Sequence, residues 1–419
     1  MDLELIQSCI QDYRINKSYV QKNYNYYKGD TDALRDYKLQ TTRSNLKVRT
    51  NFVKKFIKEE ASYILSNSVT YINKSTDNSD IISAIELNLA HWSKKHDQEL
   101  LKNSLIFGES YELYYIDNNA QFCSRLLTPL NCYVYRDYFG NTTMALHFYK
   151  LDKFSDIEYV DIYTSTEITT CLVADLSVTS VKNHIFGEVP ISICTTSRDD
   201  EKDTLFEDIK GLQDAYETNL SDISNEICDF RNAYLKFQNC QVKEEDLANM
   251  KKLGIIQTSN KDSSVDWLVK NINDTFIQNT LTTVKENMYE LSSHVNTNEK
   301  LSSNISGVAL RSRLISLEQK CKFNENAVTD CMLNRLRLMF NYIELLTSKQ
   351  YDYRNIRVKF TAMIPSDDHT TSLMLAQLSG MISNETGIAQ LSFVDNTEAE
   401  MAKLRAEQES NAINLDNIV

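Results

Sequence analysis

The chain has 419 residues, is 42% hydrophobic and carries a formal net charge of −13. That length supports two or three domains with buried cores, and the acidic balance excludes a surface that grips nucleic acid by neutralising phosphates, which requires a basic face. No run approaches the ~18 consecutive apolar residues of a membrane span, and the N-terminus MDLELIQSCIQDYR sets acids where a signal peptide needs a basic and then an apolar run, so the expectation is a protein made and kept in a cytoplasm.

The nine cysteines run from Cys9 to Cys331 without a Cys-x-x-Cys pair, which fits neither a disulfide framework nor a zinc site; they read as reduced small hydrophobes. Nine glycines and three prolines (Pro129, Pro190, Pro365) leave room for long helices. Residues 1–60 hold 12 Lys/Arg against 8 Asp/Glu, so the negative charge resides in the rest of the chain.

In chain order, apolar and aromatic residues recur at helical spacing from Leu3 to Tyr27, and Gly29 supplies a helix C-cap. Residues 51–65 place Phe52, Phe56, Ala61 and Tyr63/Ile64 on one face of a second helix, Val69 to Ile72 reads as a short strand, and Asp77 to Asn103 as a helical stretch. Residues 104–195 turn to short alternating runs (Tyr111 to Ile116, Cys132 to Tyr135, Thr143 to Leu151, Ile157 to Thr164), an antiparallel sheet domain. From Leu205 to Tyr234 apolar residues step by three or four, a helix of ~45 Å. Strands are expected at Leu253 to Thr258 and Val265 to Val269, and a second stripe runs from Ile277 to Val295 with Asp274 as its N-cap. The polar string 296–306 breaks the period. A third stripe from Gly307 to Leu346 predicts a helix of ~60 Å, followed by a strand at Ile356 to Phe360, a helix at Thr370 to Ser383 and an acidic tail.

Catalytic signatures are missing from this pattern. The sequence has no Gly-x-x-x-x-Gly-Lys phosphate loop, no Gly-x-Ser-x-Gly and no His-Glu-x-x-His, so the expectation is a protein that is not an enzyme and needs no cofactor. His91 and His96 stand five apart, outside the i, i+4 spacing of a metal pair, and Asp199-Asp200 and Asp367-Asp368 occupy positions where aspartate caps turns and helices.

Several local strings, in this order, resemble the portal protein family of tailed bacteriophages, in the form carried by long-tailed phages of Gram-positive hosts. They are Tyr26-Tyr27-Lys28-Gly29, Asn51-Phe52-Val53 leading to Tyr63-Ile64-Leu65, Ile106-Phe107-Gly108-Glu109-Ser110-Tyr111, Leu127-Thr128-Pro129-Leu130-Asn131, and His184-Ile185-Phe186-Gly187-Glu188-Val189-Pro190-Ile191. Further on come Leu212-Gln213-Asp214-Ala215-Tyr216 with Ser221-Asp222 and Asn225-Glu226, then Ile305-Ser306-Gly307-Val308-Ala309-Leu310, and Gly380-Met381-Ile382-Ser383-Asn384-Glu385-Thr386 with Gln390-Leu391. The resemblance implies an α+β fold: a mixed α/β wing (1–203), stem helices (204–234 and 274–295) around a strand-bearing clip (235–273), a tunnel loop (296–306), a long spanning helix (307–348), a wing return strand (349–364) and a short helical crown with tail (365–419).

It also implies a cyclic ring, twelve subunits in the family, at the capsid vertex of the virion, passing double-stranded DNA during packaging and ejection. The implied partners are the terminase large subunit, the head-tail connector, and the major capsid and scaffold proteins. Asn296, Thr297, Asn298, Lys300, Ser302, Ser303 and Asn304 would face DNA, or serve as a plain helix connector. Lys243, Lys251, Lys252 and Lys261 would mark the docking clip, or be solvated surface. Long helices with one apolar stripe each call for neighbours, which identical subunits supply in a ring. The alternative reading is a tail or baseplate structural protein.

Overall fold

A computed structural model of the chain describes residues 2–38, 45–75, 80–196, 204–230, 234–239, 262–268, 274–296, 307–361 and 368–378, and parts of 380–407. They divide into a large unit (1–300 with 314–361) and a small one (301–313 with 362–419).

The large unit opens with α1 (Leu3–Lys28). Asp2 caps it by accepting from the Glu4 and Leu5 amides, and Gly29 ends it at φ 78°. A Cβ there would meet Asn51 Nδ2 at 2.8 Å, so the turn requires glycine. Asn51 works on two helices at once, accepting from the Lys54 amide to cap α3 (Phe52–Leu65) and donating to the Tyr27 carbonyl at the end of α1. The short α2 (Asp32–Asp36) lies between them.

The stretch expected to be helical from Asp77 to Asn103 is two helices, α4 (Ile81–Leu89) and α5 (His96–Phe107). The break has a tertiary cause: Trp92 leaves the helical path and its indole N–H donates to the Phe122 carbonyl at 2.9 Å. His91 consequently lies off the helix on which the sequence places it.

Residues 109–195 form two antiparallel sheets where one was expected. β2 (Glu109–Ile116), β3 (Phe122–Leu127) and β9 (Ile191–Thr195) pair in the order β3-β2-β9, while β4 (Cys132–Arg136), β5 (Thr142–Tyr149), β6 (Tyr159–Tyr163), β7 (Glu167–Leu172) and β8 (Val178–Asn183) form a meander. One face of the meander packs Met144, Leu146, Phe148 and Ile162 on α1, where Tyr13 stacks on Phe148 at 4.0 Å. The other face meets the three-stranded sheet through Ala145, Tyr163, Leu113 and Leu127.

The helical part comprises α6 (Leu205–Phe230), α7 (Asp274–Leu291) and α8 (Gly307–Thr347). α6 stops four residues short of its expected end because Tyr234 belongs to β10 (Tyr234–Gln238), which pairs with β11 (Ser264–Leu268). α7 includes Asp274, expected as its cap, as its first residue. The expected strand Leu253 to Thr258 and Asp199-Asp200 lie outside the described residues. At 41 residues α8 matches the long third stripe. From Leu317 to Met332 it enters the core formed by α1, α3 and α5 through Leu317, Cys321, Val328 and Met332. Its second half covers Tyr114 and Phe122 of the three-stranded sheet with Leu336, Met339 and Ile343. β12 (Ile356–Lys359) then returns to pair with β1 (Thr70–Asn73). The small unit holds α9 (Asp368–Gln377) and α10 (Asn384–Ile388).

Candidate functional site

Of the residues the sequence nominates, Thr297, Asn298, Lys300, Ser302, Ser303, Asn304 and the lysines 243, 251, 252 and 261 lie outside the described residues. Asn296 is described and half-buried, five residues past the end of α7 at Leu291. The described residues hold three polar assemblies, the first of them at the end of α7 shortly before Asn296.

The first closes α7. Ser293 adopts φ 60°, its N–H donates to the Glu290 carbonyl, and the His294 N–H reaches back to the Tyr289 carbonyl. This is the paired-bond Schellman ending, with serine where glycine is usual. His294 is buried and stacks on Phe56 of α3 at 4.3 Å, its ring nitrogens facing the Ser292 and Phe56 carbonyls. Beside it lies Glu60 of α3, wholly buried. Lys320 of α8 approaches Glu60 Oε1 at 3.3 Å and donates to the Ser292 carbonyl at 3.2 Å, while Asn324 Nδ2 donates to Glu60 Oε2 at 2.9 Å. Burial pushes the Glu60 carboxyl up, against the opposing pull of Lys320. Burial, reinforced by Lys320, pushes the His294 imidazole down to about 3.

The second assembly sits further along α8. Arg335, 1% exposed, donates through Nε and Nη2 to Glu112 Oε2 at 3.1 and 3.0 Å and through Nη2 to Asp97 Oδ1 at 2.7 Å. The Trp92 ring lies 5.0 Å from the guanidinium carbon. Burial alone would raise the Asp97 carboxyl, but the Arg335 charge and the His96 ring outweigh it and hold it well below the usual range. His96 stands between Ser124 (Nε2 to Oγ, 2.5 Å) and Asp97 (Nδ1 to Oδ1, 3.2 Å), the order of a hydrolase triad. Arg335 already engages the same Asp97 oxygen, and Glu112 Oε1 lies 3.4 Å from the nitrogen that Ser124 would need. The trio is thus part of the ion cluster. Lys320 and Arg335, ~22 Å apart along α8, each carry a cation to a buried glutamate that also faces a histidine.

The third assembly runs along α6. Gln213, Glu217, Ser221 and Asn225, spaced by four and all buried, receive the backbone of the segment 46–52. Gln213 accepts from the Phe52 amide and donates to the Thr50 carbonyl, Glu217 accepts from the Thr50 amide, and Ser221 accepts from the Val48 amide. Asn225 both accepts from and donates to Leu46. Four residues of helix advance ~6 Å and two of extended chain ~6.6 Å, so alternate backbone groups meet successive rungs.

The sequence reading nominated none of these groups as site residues. The polar period of four on α6 is a signal that could have found the ladder. The ion clusters have no local signal, because their partners lie more than 200 residues apart. Among the described residues no group of three or more His, Cys, Asp or Glu could hold a metal ion, and no helix is long and apolar enough to cross a membrane. Eight cysteines are described and free, six of them buried.

A family model described as phage portal protein, SPP1 Gp6-like, matches residues 6–413. The portal protein of Bacillus phage SPP1 is 23% identical over 445 residues, covering 96% of this chain and 83% of that protein. Two solved chains share the fold. One, from the virion of a native gene transfer agent particle, has a TM-score of 0.51 at 11% identity, over 82% of this chain and 90% of that one. The other, from the neck of an empty gene transfer agent particle, has a TM-score of 0.51 at 11% identity, over 83% and 88%. With a match over residues 6–413, through both sheets of 109–195 and the helices α6, α7 and α8, the chain belongs to the SPP1 Gp6-like family of phage portal proteins.

Proposed function

We propose that the chain is the repeating subunit of a portal ring, a virion structural protein at the capsid vertex that provides the channel for double-stranded DNA. The observation that carries this reading is the family match over residues 6–413. It extends beyond any single module, and it leaves the tail or baseplate alternative without support. Family membership also makes the chain a structural protein rather than an enzyme.

The single chain supplies a physical reason for ring assembly. On α6, α7 and α8 the apolar side chains of Ile227, Phe276 (68% exposed), Leu291, Ile315 and Phe323 (75% exposed) stand in solvent. Exposed apolar residues on long helices are what a repeated head-to-tail interface covers. In this reading residues 235–273 dock the terminase large subunit and later the head-tail connector, with Lys243, Lys251, Lys252 and Lys261 on that surface. Residues 296–306 face the DNA with neutral hydrogen-bonding side chains and one cation, Lys300. The outer wing meets the capsid and scaffold proteins. ATP is spent by a separate motor, and the ring contributes the channel and the docking surface.

Negative-stain electron microscopy of the purified chain tests the reading. Top views showing closed rings with a central hole, about twelve subunits around, are the expected result. Monodisperse monomers under all conditions, or fibres and plates, overturn it.

A further inference from the structure

Both ring nitrogens of His294 face acceptors. Nδ1 lies 2.7 Å from the Ser292 carbonyl, and Nε2 lies 3.2 Å from the Phe56 carbonyl and 3.5 Å from Glu60 Oε1. A neutral imidazole has a single N–H. Whichever nitrogen carries it, the other would turn its lone pair onto an oxygen lone pair in a site sealed from water. Glu60 Oε1, equally buried, makes no hydrogen bond of ordinary geometry. Apart from the Lys320 ammonium at 3.3 Å, Oε1 has no donor, so the ring nitrogen short of a proton and this oxygen stand opposite each other.

We propose that Glu60 and His294 hold two protons between them at neutral pH, one more than a carboxylate and a neutral imidazole would, and that this extra proton fastens the end of α7 to α3. It rests either on His294, as an imidazolium against a carboxylate, or on Glu60, whose O–H then donates to Nε2. The pair is electrically neutral in both forms, which is how a low-dielectric site tolerates it. Burial raises the Glu60 carboxyl and lowers the His294 ring, which favours the second form.

The charges around the pair come from each element packed on it. Lys55 lies on α3 itself, over the rings of Phe56 and Tyr289, the latter on α7. Asp208 of α6 lies 3.8 Å from the Lys320 ammonium, and Lys320 and Cys321 belong to α8. When base removes the shared proton to solvent, Glu60 becomes an anion held by Lys320 and Asn324, and the one N–H left on His294 can serve the Ser292 carbonyl or the Phe56 and Glu60 side but not both. With that N–H on the shorter bond to Ser292, the Nε2 link to Glu60 of α3 is lost two residues before Asn296. If 296–306 faces DNA, a part of this inference that rests on the portal reading, the proton sets how firmly that segment is rooted.

Hydrogen–deuterium exchange by mass spectrometry on the full-length assembled protein tests it, from pH 6.5 to 9, with rates corrected for the intrinsic pH dependence. Protection in peptides covering 288–296 should fall at least tenfold across this range in the wild type. In Glu60→Gln, whose amide donates to Nε2 at every pH, it should stay flat. Lys320→Met, by withdrawing the cation that favours the carboxylate, should move the loosening to higher pH. No loss of protection in the wild type overturns the proposal whatever the variants do, and the same slope in Glu60→Gln overturns it too. Ring images from the same samples report separately on the portal reading, since the proton pair lies within one chain.

Discussion

Asn225 and Leu46 exchange a reciprocal pair of hydrogen bonds: the Leu46 N–H donates to Asn225 Oδ1 at 2.7 Å, and Asn225 Nδ2 donates to the Leu46 carbonyl at 2.9 Å. The pair is the last rung of the ladder that lays residues 46–52 along the helix α6. Because α3 starts at Phe52, the ladder ties any rotation of α6 to α3, and through Glu60 to the end of α7.

Truncating that rung removes two hydrogen bonds from the backbone of Leu46, an exposed residue on the edge of the ladder. Asn225→Ala should lower stability by about 1–3 kcal/mol, the net worth of two hydrogen bonds, measured by denaturant unfolding. Amide exchange should accelerate at 45–50 while α1 stays protected. Unchanged exchange at Leu46 and Val48 would show that the ladder does not hold the segment.

Arg335 neutralises two acids, and removing it alone strands Glu112 in the core beside a half-buried Asp97. Arg335→Met should cost about 3–5 kcal/mol, as breaking a buried ion cluster from one side does. Adding Glu112→Gln to that variant should recover part of the loss, because the uncompensated charge then goes. A double-mutant cycle on thermal or chemical unfolding reads the coupling, and additive losses would mean that the two side chains act independently.

The same cluster sets an acid limit. The Asp97 carboxyl titrates below its ordinary value of 3.8 because Arg335 and His96 outweigh the opposing effect of burial. An acid held low in the folded state contributes stability that is full above its unfolded value and is lost as the pH falls through the folded one. Stability of the wild type should therefore drop steeply below about pH 4. Asp97→Asn, less stable at neutral pH, should lose less on acidification. Parallel acid limbs for the two proteins would place the titration elsewhere.

Amphipathic periodicity made the long helices legible, since a stripe such as Leu314, Leu317, Cys321, Val328, Met332 and Leu336 needs only local spacing to be read. The expected sheet domain split in two because β2 pairs with β9, some 80 residues on, and alternation within a strand says nothing about its partner. Glu60 and Glu112 look in sequence like ordinary solvated acids on a helix and a strand. Their meaning comes from Lys320 and Arg335, more than 200 residues away, which only the fold brings to them. The helix break at Ala90 to Lys95 was hidden for the same reason, having no glycine or proline and depending on one indole bond to Phe122.

Ser293 holds its left-handed backbone at a cost of about 1–2 kcal/mol relative to glycine, which has no Cβ to crowd the carbonyl. Ser293→Gly should thus be neutral or mildly stabilising, and Ser293→Val should destabilise, with the loss seen first as faster exchange at His294, whose amide closes the turn onto Tyr289. Equal stability of the two variants would mean that the turn is not maintained in solution.

Deleting residues 297–304 separates anchoring from function. The Schellman turn at Ser293, the His294–Glu60 contact and the Lys320 bond to the Ser292 carbonyl all lie outside the deletion, so subunits should still fold and close into rings. What the deletion removes is the neutral polar string with its one cation, Lys300, proposed to face DNA. In the proposed role, neutral side chains on that segment let the duplex slide without deep electrostatic traps. Capsids assembled with the deleted protein should therefore package less DNA or leak it after packaging, measured as DNA per particle on a density gradient. Rings that form normally and fill and hold their genomes like wild type would remove 297–304 from the mechanism while leaving the portal reading intact.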